Sequence, residues 1–257
     1  MKENFLPKNP SCLVVFIENA PKKALRTLSS ILKKRDFNYS FVPRKSISNL
    51  KEKAFSGFDL VLTLGGDGTF LSSAHFNRSL PVLGINLNPS EKEGFFTRSR
   101  MKNIDSDIEN LICGRFHILN LLRLEARINQ KTLPELALND IFFGAEKAYH
   151  ACRYVISMDG KSEEQRSSGI IASTPAGSNA WLLSAGGKRL PLSSHKIQFL
   201  VREPYSGRLT KPKIRAGFFE KIKFSPLKNF RESIIVFDSV SIQLQPCRTE
   251  FHSSAQG

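Results

Sequence analysis

Leu60-Val-Leu-Thr-Leu64-Gly65-Gly66-Asp67-Gly68-Thr69 is the stretch on which the reading of this 257-residue chain turns. Its first five residues form a continuous apolar run, as expected of a strand covered on both faces in a parallel sheet. Three glycines in the next four positions let the backbone turn sharply and approach a ligand without side-chain obstruction. A helix is expected to open at Thr69, so free N–H groups of the turn would face any phosphate placed there. The carboxyl end of a strand is where an open α/β sheet binds ligands. Asp67 puts one carboxylate among those donors, where it could accept a proton from a substrate hydroxyl. A tight β-to-α connection alone would need fewer glycines.

Working outward, the strand lies within a βαβα rhythm. Cys12–Ile17 is expected as a buried strand, and 22–34 as a helix whose Leu25, Leu28, Ile31 and Leu32 share one face. Tyr39–Val42 and Val82–Ile85 follow as strands, with a short helix at Ile47–Lys53 between them. A further helix carries Ile104, Ile108, Leu111 and Ile112. Past it the texture changes to short strand-like runs: Leu119–Ile128, Leu136–Phe143, Tyr149–Met158, Gly169–Ser173 and Ile197–Val201. Asp159-Gly160 marks a tight hairpin turn between two of the runs. The fold expected is α/β plus all-β: an open Rossmann-like α/β domain over residues 1–100, then a mostly β, sandwich-like domain over 101–257. The late strands Ile234–Phe237 and Val240–Leu244 could return to the first domain.

Hydrophobic residues make up 40% of the chain, enough for a sizeable core. No apolar run reaches the roughly 18 residues of a membrane span. With only Met1–Ser11 ahead of the first strand, no leader is expected, and the cytoplasm is the compartment expected. Cys12, Cys113, Cys152 and Cys247 are widely spaced and form no Cys-x-x-Cys pair, so they are expected to be buried thiols and not a zinc site. A net charge of +15 favours polyanionic ligands. The Lys and Arg residues are spread along the chain without a recognisable nucleic-acid module, and nucleic acid, phosphate-rich small molecules and simple solubility all stay open on charge alone. Other nucleotide signatures fail: Gly160-Lys161-Ser162 ends like a P-loop, but the earlier glycine it needs falls at Val155.

With its Gly-Gly-Asp-Gly-Thr turn the chain resembles the NAD kinase family. Lipid kinases and phosphofructokinases share that motif alone, but four further blocks follow in family order. Gly84-Ile-Asn86 with Glu93-Gly-Phe95 is similar to the family's second nucleotide-facing segment, and Ala137-Leu-Asn139-Asp140 to its Asn-Glu element. Arg166-Ser-Ser168-Gly169 and Ser173-Thr174-Pro-Ala-Gly-Ser-Asn179-Ala180-Trp181 are similar to its long glycine-containing signature, continued by Ser184-Ala-Gly-Gly187. The resemblance runs from Leu60 to Gly187. Asp140 stands where the family usually has Glu, Ser168 where it has Asp, and Trp181 where it has Tyr. Ser168, Trp181, Asn88-Pro-Ser-Glu91 and Arg202-Glu-Pro204 resemble the divergent branch typified by the mitochondrial NAD kinases of animals.

The resemblance implies transfer of a phosphoryl group from ATP to the 2′-hydroxyl of the adenosine ribose of NAD, with Asp67 as the catalytic residue. It implies that Gly65, Gly66, Gly68 and Thr69 face phosphates and that Phe95 packs on adenine. Asn139 and Asp140 would bond ribose hydroxyls, while Ser168, Thr174, Asn179, Ala180, Trp181 and Ser184 would line the NAD pocket. Mg2+ is implied as the phosphate counter-ion with no dedicated protein cage, and a homodimer or homotetramer whose neighbouring subunits complete the NAD site. Three alternatives remain open: within enzymes, a lipid kinase of the diacylglycerol or sphingosine type; in a different class, a catalytically weak NAD(P)-binding sensor; and, on charge alone, a nucleic-acid-binding protein.

Overall fold

A computed structural model describes residues 5–147, 149–209, 211–227, 233–244 and 249–254. Two compact units divide the chain between Leu119 and Asn120.

The first unit is built on a five-stranded parallel sheet of β1 (Ser11–Phe16), β2 (Asn38–Pro43), β3 (Leu60–Gly65), β4 (Val82–Asn86) and β5 (Ser99–Arg100), in the order β2-β1-β3-β4-β5. β3 is buried along its whole length, which explains its unbroken apolar character. One face packs Cys12, Val14, Leu60, Leu62 and Leu64 against Leu28 and Leu32 of α1 (Lys22–Lys34) and against Ile104, Ile108 and Leu111 of α4 (Ile104–Ile112). The other face packs Leu13, Val15 and Val61 against Ile47 of α2 (Arg44–Leu50) and against Phe55 of the short 3-10 turn Lys51–Phe55. The expected helix Ile47–Lys53 is therefore divided: α2 ends at Leu50, where Lys51 takes a left-handed φ of 51°. Because α4 buries its apolar stripe on this sheet, the unit extends past residue 100.

α3 (Asp67–Phe76) begins two residues earlier than Thr69, with Gly66 as its cap. Asp67 thus sits in the first helical turn, where unpaired N–H groups favour negative charge.

In the second unit, two six-stranded antiparallel sheets share one core. The first has the order β10-β9-β14-β17-β6-β7 and the second β13-β12-β11-β8-β15-β16. The strands are β6 (Arg123–Ile128), β7 (Lys131–Ala137), β8 (Asp140–Ala145), β9 (Cys152–Met158), β10 (Lys161–Ser167), β11 (Gly169–Ser173), β12 (Ile197–Arg202), β13 (Ala216–Phe219), β14 (Lys221–Pro226), β15 (Ser233–Phe237), β16 (Val240–Leu244) and β17 (Thr249–Ser254). Alternate residues of both sheets meet in the core, among them Leu124, Phe143, Tyr154, Ile170, Phe199, Phe224 and Phe237. The outer face of the second sheet carries Phe142 and Ile171, packed with Leu182 of the one-turn helix α5 (Trp181–Ser184). The late strands stay in this unit, since β15 pairs with β8.

Three differences from the sequence reading have a physical cause. The run Leu136–Phe143 is two strands, because the chain leaves the first sheet at Ala137 and enters the second at Asp140. Strand β10 reads as polar because its inward residues include Gln165 and Ser167, and the Ser167 hydroxyl lies 2.7 Å from the buried Tyr154 hydroxyl. Cys113 is exposed, whereas Cys12 and Cys152 are buried, with burial pushing their thiols up to about 12 and about 11. Cys247 lies outside the described residues.

Candidate functional site

The glycine turn leaves the carboxyl end of β3, the strand beside β1 at the point where the sheet order reverses. None of Gly65, Gly66 and Gly68 has a positive φ, so what glycine supplies here is room. A Cβ on Gly65 would overlap the Thr69 hydroxyl. One on Gly66 would press to 3.0 Å from Lys92 Cδ, and one on Gly68 would meet only Arg44 Nη1, at 3.7 Å. Lys92 and Arg44 therefore flank the turn, Arg44 with Glu18 3.4 Å away. Thr69 is buried, and its hydroxyl has no hydrogen-bond partner among the described residues.

Asp67 is held more tightly than a free base would be. Its Oδ2 accepts from the Phe95 N–H at 2.8 Å, and its Oδ1 accepts from the N–H groups of Phe96 and Thr97 at 2.9 and 3.1 Å and from Thr97 Oγ1 at 3.1 Å. Three of the four donors converge on Oδ1, while Oδ2 takes one and keeps an acceptor position open. Asp67 thereby ties the start of α3 to the segment 93–97. Gly94, at φ 68°, lets that segment turn back, and Asn86 Nδ2 donates to the Lys92 carbonyl at 3.2 Å.

The segment walls a cleft of about 370 Å3 lined by Asn86, Glu93, Gly94, Phe95, Thr97, Arg98 and Arg100. Phe95 is half-buried and meets Phe96 edge to face at 4.9 Å, while Phe96 stacks on Phe70 at 4.9 Å. Phe95 thus keeps part of its ring surface open toward the cleft. Arg98 and Arg100 make the cleft suited to anions; sequence reading passed over them because isolated arginines carry no spacing signal.

In the second unit, Asn139 and Asp140 form the corner at which the chain changes sheets. Both are buried, and Asn139 Oδ1 has no hydrogen-bond partner among the described residues. Thr174 Oγ1 donates to the Leu138 carbonyl at 2.6 Å and Thr174 N–H to the Asn139 carbonyl at 2.9 Å. Gly177 packs so closely on the Asn139 carbonyl that no side chain would fit. Thr174, expected to line a pocket, spends its hydroxyl on clamping this corner, and Asn179 Nδ2 donates to the Pro175 carbonyl at 3.2 Å. The Asp140 carboxyl is pushed up to about 7, first by burial and then by the charge of Asp238. Asp238 was not anticipated at all: it comes from the β15–β16 turn, about a hundred residues away in sequence, and only the hydrogen bonds of the corner reveal it.

Trp181 and Ser184 line a different cleft, of about 420 Å3, with Arg202, Glu203, Pro204 and Arg215 among its walls. Trp181 is 38% exposed, packs against Phe142 at 5.2 Å and carries the Arg202 guanidinium over its ring at 5.3 Å. Ala180, immediately before it, is half-buried. Ser168 joins this end of the sheet, its N–H donating to the Arg202 carbonyl at 3.1 Å. The register pairs Ser173 with Asp140 and Gly169 with Gly144, so Ser168 and the Asn139–Asp140 corner lie at opposite ends of β11. That strand is about 17 Å long. Asn139, Asp140 and Thr174 are thus brought together; Ser168 is not brought to them.

Among the described residues no group of three or more His, Cys, Asp or Glu side chains is placed to hold a metal ion, and no helix is long and apolar enough to cross a membrane. The profile of the ATP-NAD kinase N-terminal domain matches residues 10–116. The chain is 32% identical over 209 residues to a rice (Oryza sativa subsp. japonica) protein named "Probable NADH kinase", covering 73% of this chain and 63% of that protein. It therefore spans less than two thirds of that relative. It is 32% identical over 204 residues to the NAD kinase of Chlorobaculum tepidum, covering 74% of this chain and 69% of that one. Its fold is similar to that of an NAD kinase from Archaeoglobus fulgidus solved in complex with ATP, with a TM-score of 0.74 and 21% identity over 95% of this chain and 90% of that chain.

Proposed function

Since the chain belongs to the NAD kinase family, we propose that it transfers the terminal phosphoryl group of ATP to the 2′-hydroxyl of the adenosine ribose of NAD or NADH, releasing ADP and NADP or NADPH. The observation that carries this reading is the glycine turn at the end of β3, with Asp67 at the helix start and cations beside it. Gly65 and Gly66 leave the backbone unobstructed, and the open N–H groups of the first turn of α3 suit phosphate oxygens. Lys92, Arg98 and Arg100 add positive charge where phosphate charge spreads during transfer.

In this reading Asp67 positions the acceptor hydroxyl and receives its proton as the oxygen–phosphorus bond forms and the bond to the leaving ADP breaks. Oδ2, which among the described residues accepts only the Phe95 N–H, is the oxygen with room for that contact. Phosphoryl transfer has a loose transition state, in which positioning and electrostatics outweigh base strength, so an aspartate serves. Magnesium would arrive as an ion carried by the nucleotide phosphates, held among the surrounding cations by those phosphates. It would supply neutralisation of the transferred charge.

Asn139 and Asp140 would bond the ribose hydroxyls, an assignment supported by the partnerless, buried Asn139 Oδ1. Phe95 would offer its open ring surface to adenine. Ser168 lies beyond the end of β11 opposite the Asn139–Asp140 corner, and in this reading a neighbouring subunit of a homodimer or homotetramer completes the NAD site. A reducing interior supplied with ATP, in the simplest case the cytoplasm, fits the buried thiols Cys12 and Cys152.

The test is to incubate the protein with NAD, ATP and Mg2+ and to follow NADP through an NADP-specific dehydrogenase, with NADH assayed in parallel. NADP formation that Asp67→Asn abolishes is the expected result. Tight NAD binding with no NADP formed would overturn it in favour of a sensor.

A further inference from the structure

We propose that Asp238 is a positioning residue for the corner Leu138–Asp140, holding its backbone in place and setting the charge state of the Asp140 carboxyl; the proposal rests on the reading of Asn139 and Asp140 as ribose contacts. Three consecutive N–H groups donate to this one carboxylate: Leu138 to Oδ2 at 2.5 Å, and Asn139 and Asp140 to Oδ1 at 2.7 and 3.1 Å. The Asp238 N–H donates back to the Asp140 carbonyl at 3.2 Å. On the opposite side, Thr174 satisfies the carbonyls of Leu138 and Asn139, and Ser173 Oγ adds a second donor to Asn139 at 3.2 Å. A corner between two sheets has no ladder to pair its backbone, so the N–H groups of residues 138–140 depend on Asp238. Asn at 238 would offer one oxygen to three donors.

The turn that delivers this carboxylate is strained. Asp238 and Ser239 take φ of 46° and 82°, left-handed values that an Asp tolerates and a Ser does not favour. Strain of this kind persists where surrounding structure over-determines it, and it clusters at functional sites.

Charge follows from the same geometry. Asp140 faces Asp238 from β8, and Arg123 faces Asp238 from β6. Ser173 and Thr174, which close the corner from the end of β11, are uncharged. Burial raises both carboxyls, but the three N–H groups and Arg123 pull Asp238 back, so the proton of the pair resides on Asp140. Asp140 then changes from hydroxyl donor to acceptor near neutrality, and its bond to a ribose oxygen changes with it.

The experiment is a carboxyl-13C NMR titration of the full chain, with Asp140 assigned from its loss in Asp140→Asn, together with KM measurements for NAD and ATP. In Asp238→Asn the Asp140 midpoint is expected to fall by at least about one unit, since the opposing charge is gone. KM for NAD should rise about 10-fold or more while KM for ATP holds, since displacement of a contact costs at least that much. Arg123→Gln leaves the corner's hydrogen bonds in place and should also lower the Asp140 midpoint, by moving the shared proton toward Asp238; it serves if Asp238→Asn does not fold. A midpoint unmoved in the folded variants, or a parallel rise in both KM values, overturns the proposal. If the midpoints move as expected but the unaltered chain makes no NADP, the functional reading is what fails.

Discussion

Asp67 accepts four hydrogen bonds from the segment Phe95–Thr97, so replacing it has two separable effects. We expect Asp67→Asn to lower kcat by about 10²–10⁴-fold, the usual worth of a general base. The same change should speed amide hydrogen exchange at Phe95, Phe96 and Thr97, because an Asn amide cannot accept all four donors. Protection retained at those three amides would mean that the segment is held by something other than Asp67. Gly65 and Gly68 make a second pair to compare. Gly65→Ala should cost about 1–3 kcal/mol in denaturant unfolding, the range for overpacking, because its methyl overlaps the Thr69 hydroxyl. Adding Thr69→Ala should restore much of that loss. Gly68→Ala meets only Arg44, at 3.7 Å, and should fold with little change. At this scale the sequence was informative, since a glycine turn after an apolar strand is a local signal. It set Thr174 in the NAD pocket but carried no sign that its hydroxyl reaches a carbonyl 36 residues away.

Hairpins show where legibility ends at the scale of elements. Three two-residue turns put both central residues at positive φ: Asn129-Gln130, Asp159-Gly160 and Asp238-Ser239. Only Asp159-Gly160 has the composition such a turn favours, and only it was read from the sequence. In the other two, Asn129 and Asp238 suit the first position, but strand pairing imposes a left-handed φ on Gln130 and Ser239. Ser239→Gly should therefore stabilise the protein by about 0.5–1 kcal/mol, less than the full left-handed cost because glycine also loosens the unfolded chain. The midpoint of urea unfolding would show this, and a drop would mean that the Ser239 side chain does something the turn geometry does not reveal. The β8 corner has its own pH signature. Folded Asp140 is pushed up to about 7, above an ordinary carboxyl of about 4, so the native state holds the extra proton between those values. Stability is consequently lost as pH rises through that window. Asp140→Asn should flatten the fall in melting temperature between pH 5 and 8, and an unchanged slope would place the proton elsewhere.

For the whole molecule, the separation of Ser168 from the Asn139–Asp140 corner along β11 sets the most demanding test. If one NAD site takes residues from two subunits, mixing Asp140→Asn chains with Ser168→Arg chains should recover activity that neither population has alone. Activity that stays absent after subunit exchange, or a monomer in sedimentation with full activity, would place each site within one chain. The charge of +15 fits a protein that gathers two polyphosphate ligands. The cations beside the turn and the cleft, Lys92, Arg98 and Arg100, were not separable in the sequence from the rest of the Lys and Arg residues. After Pro204 the sequence showed Ile234–Phe237 and Val240–Leu244 as strands but not β13 and β14, which are short and half-exposed.

By itself the sequence determined what depends on neighbours a few residues apart. The strand Leu60–Leu64, its glycine turn, the amphipathic helix α1 and the order of motifs from Leu60 to Gly187 are all set by spacing, and with them the two-part fold and the family. The tertiary structure alone decided what depends on groups brought together from afar. It closed the four donors around Asp67, broke one apolar run into β7 and β8, and brought Asp238 under a corner about a hundred residues earlier. The physical reason is that a buried N–H takes whichever acceptor the packing delivers, and packing distance bears no fixed relation to distance along the chain.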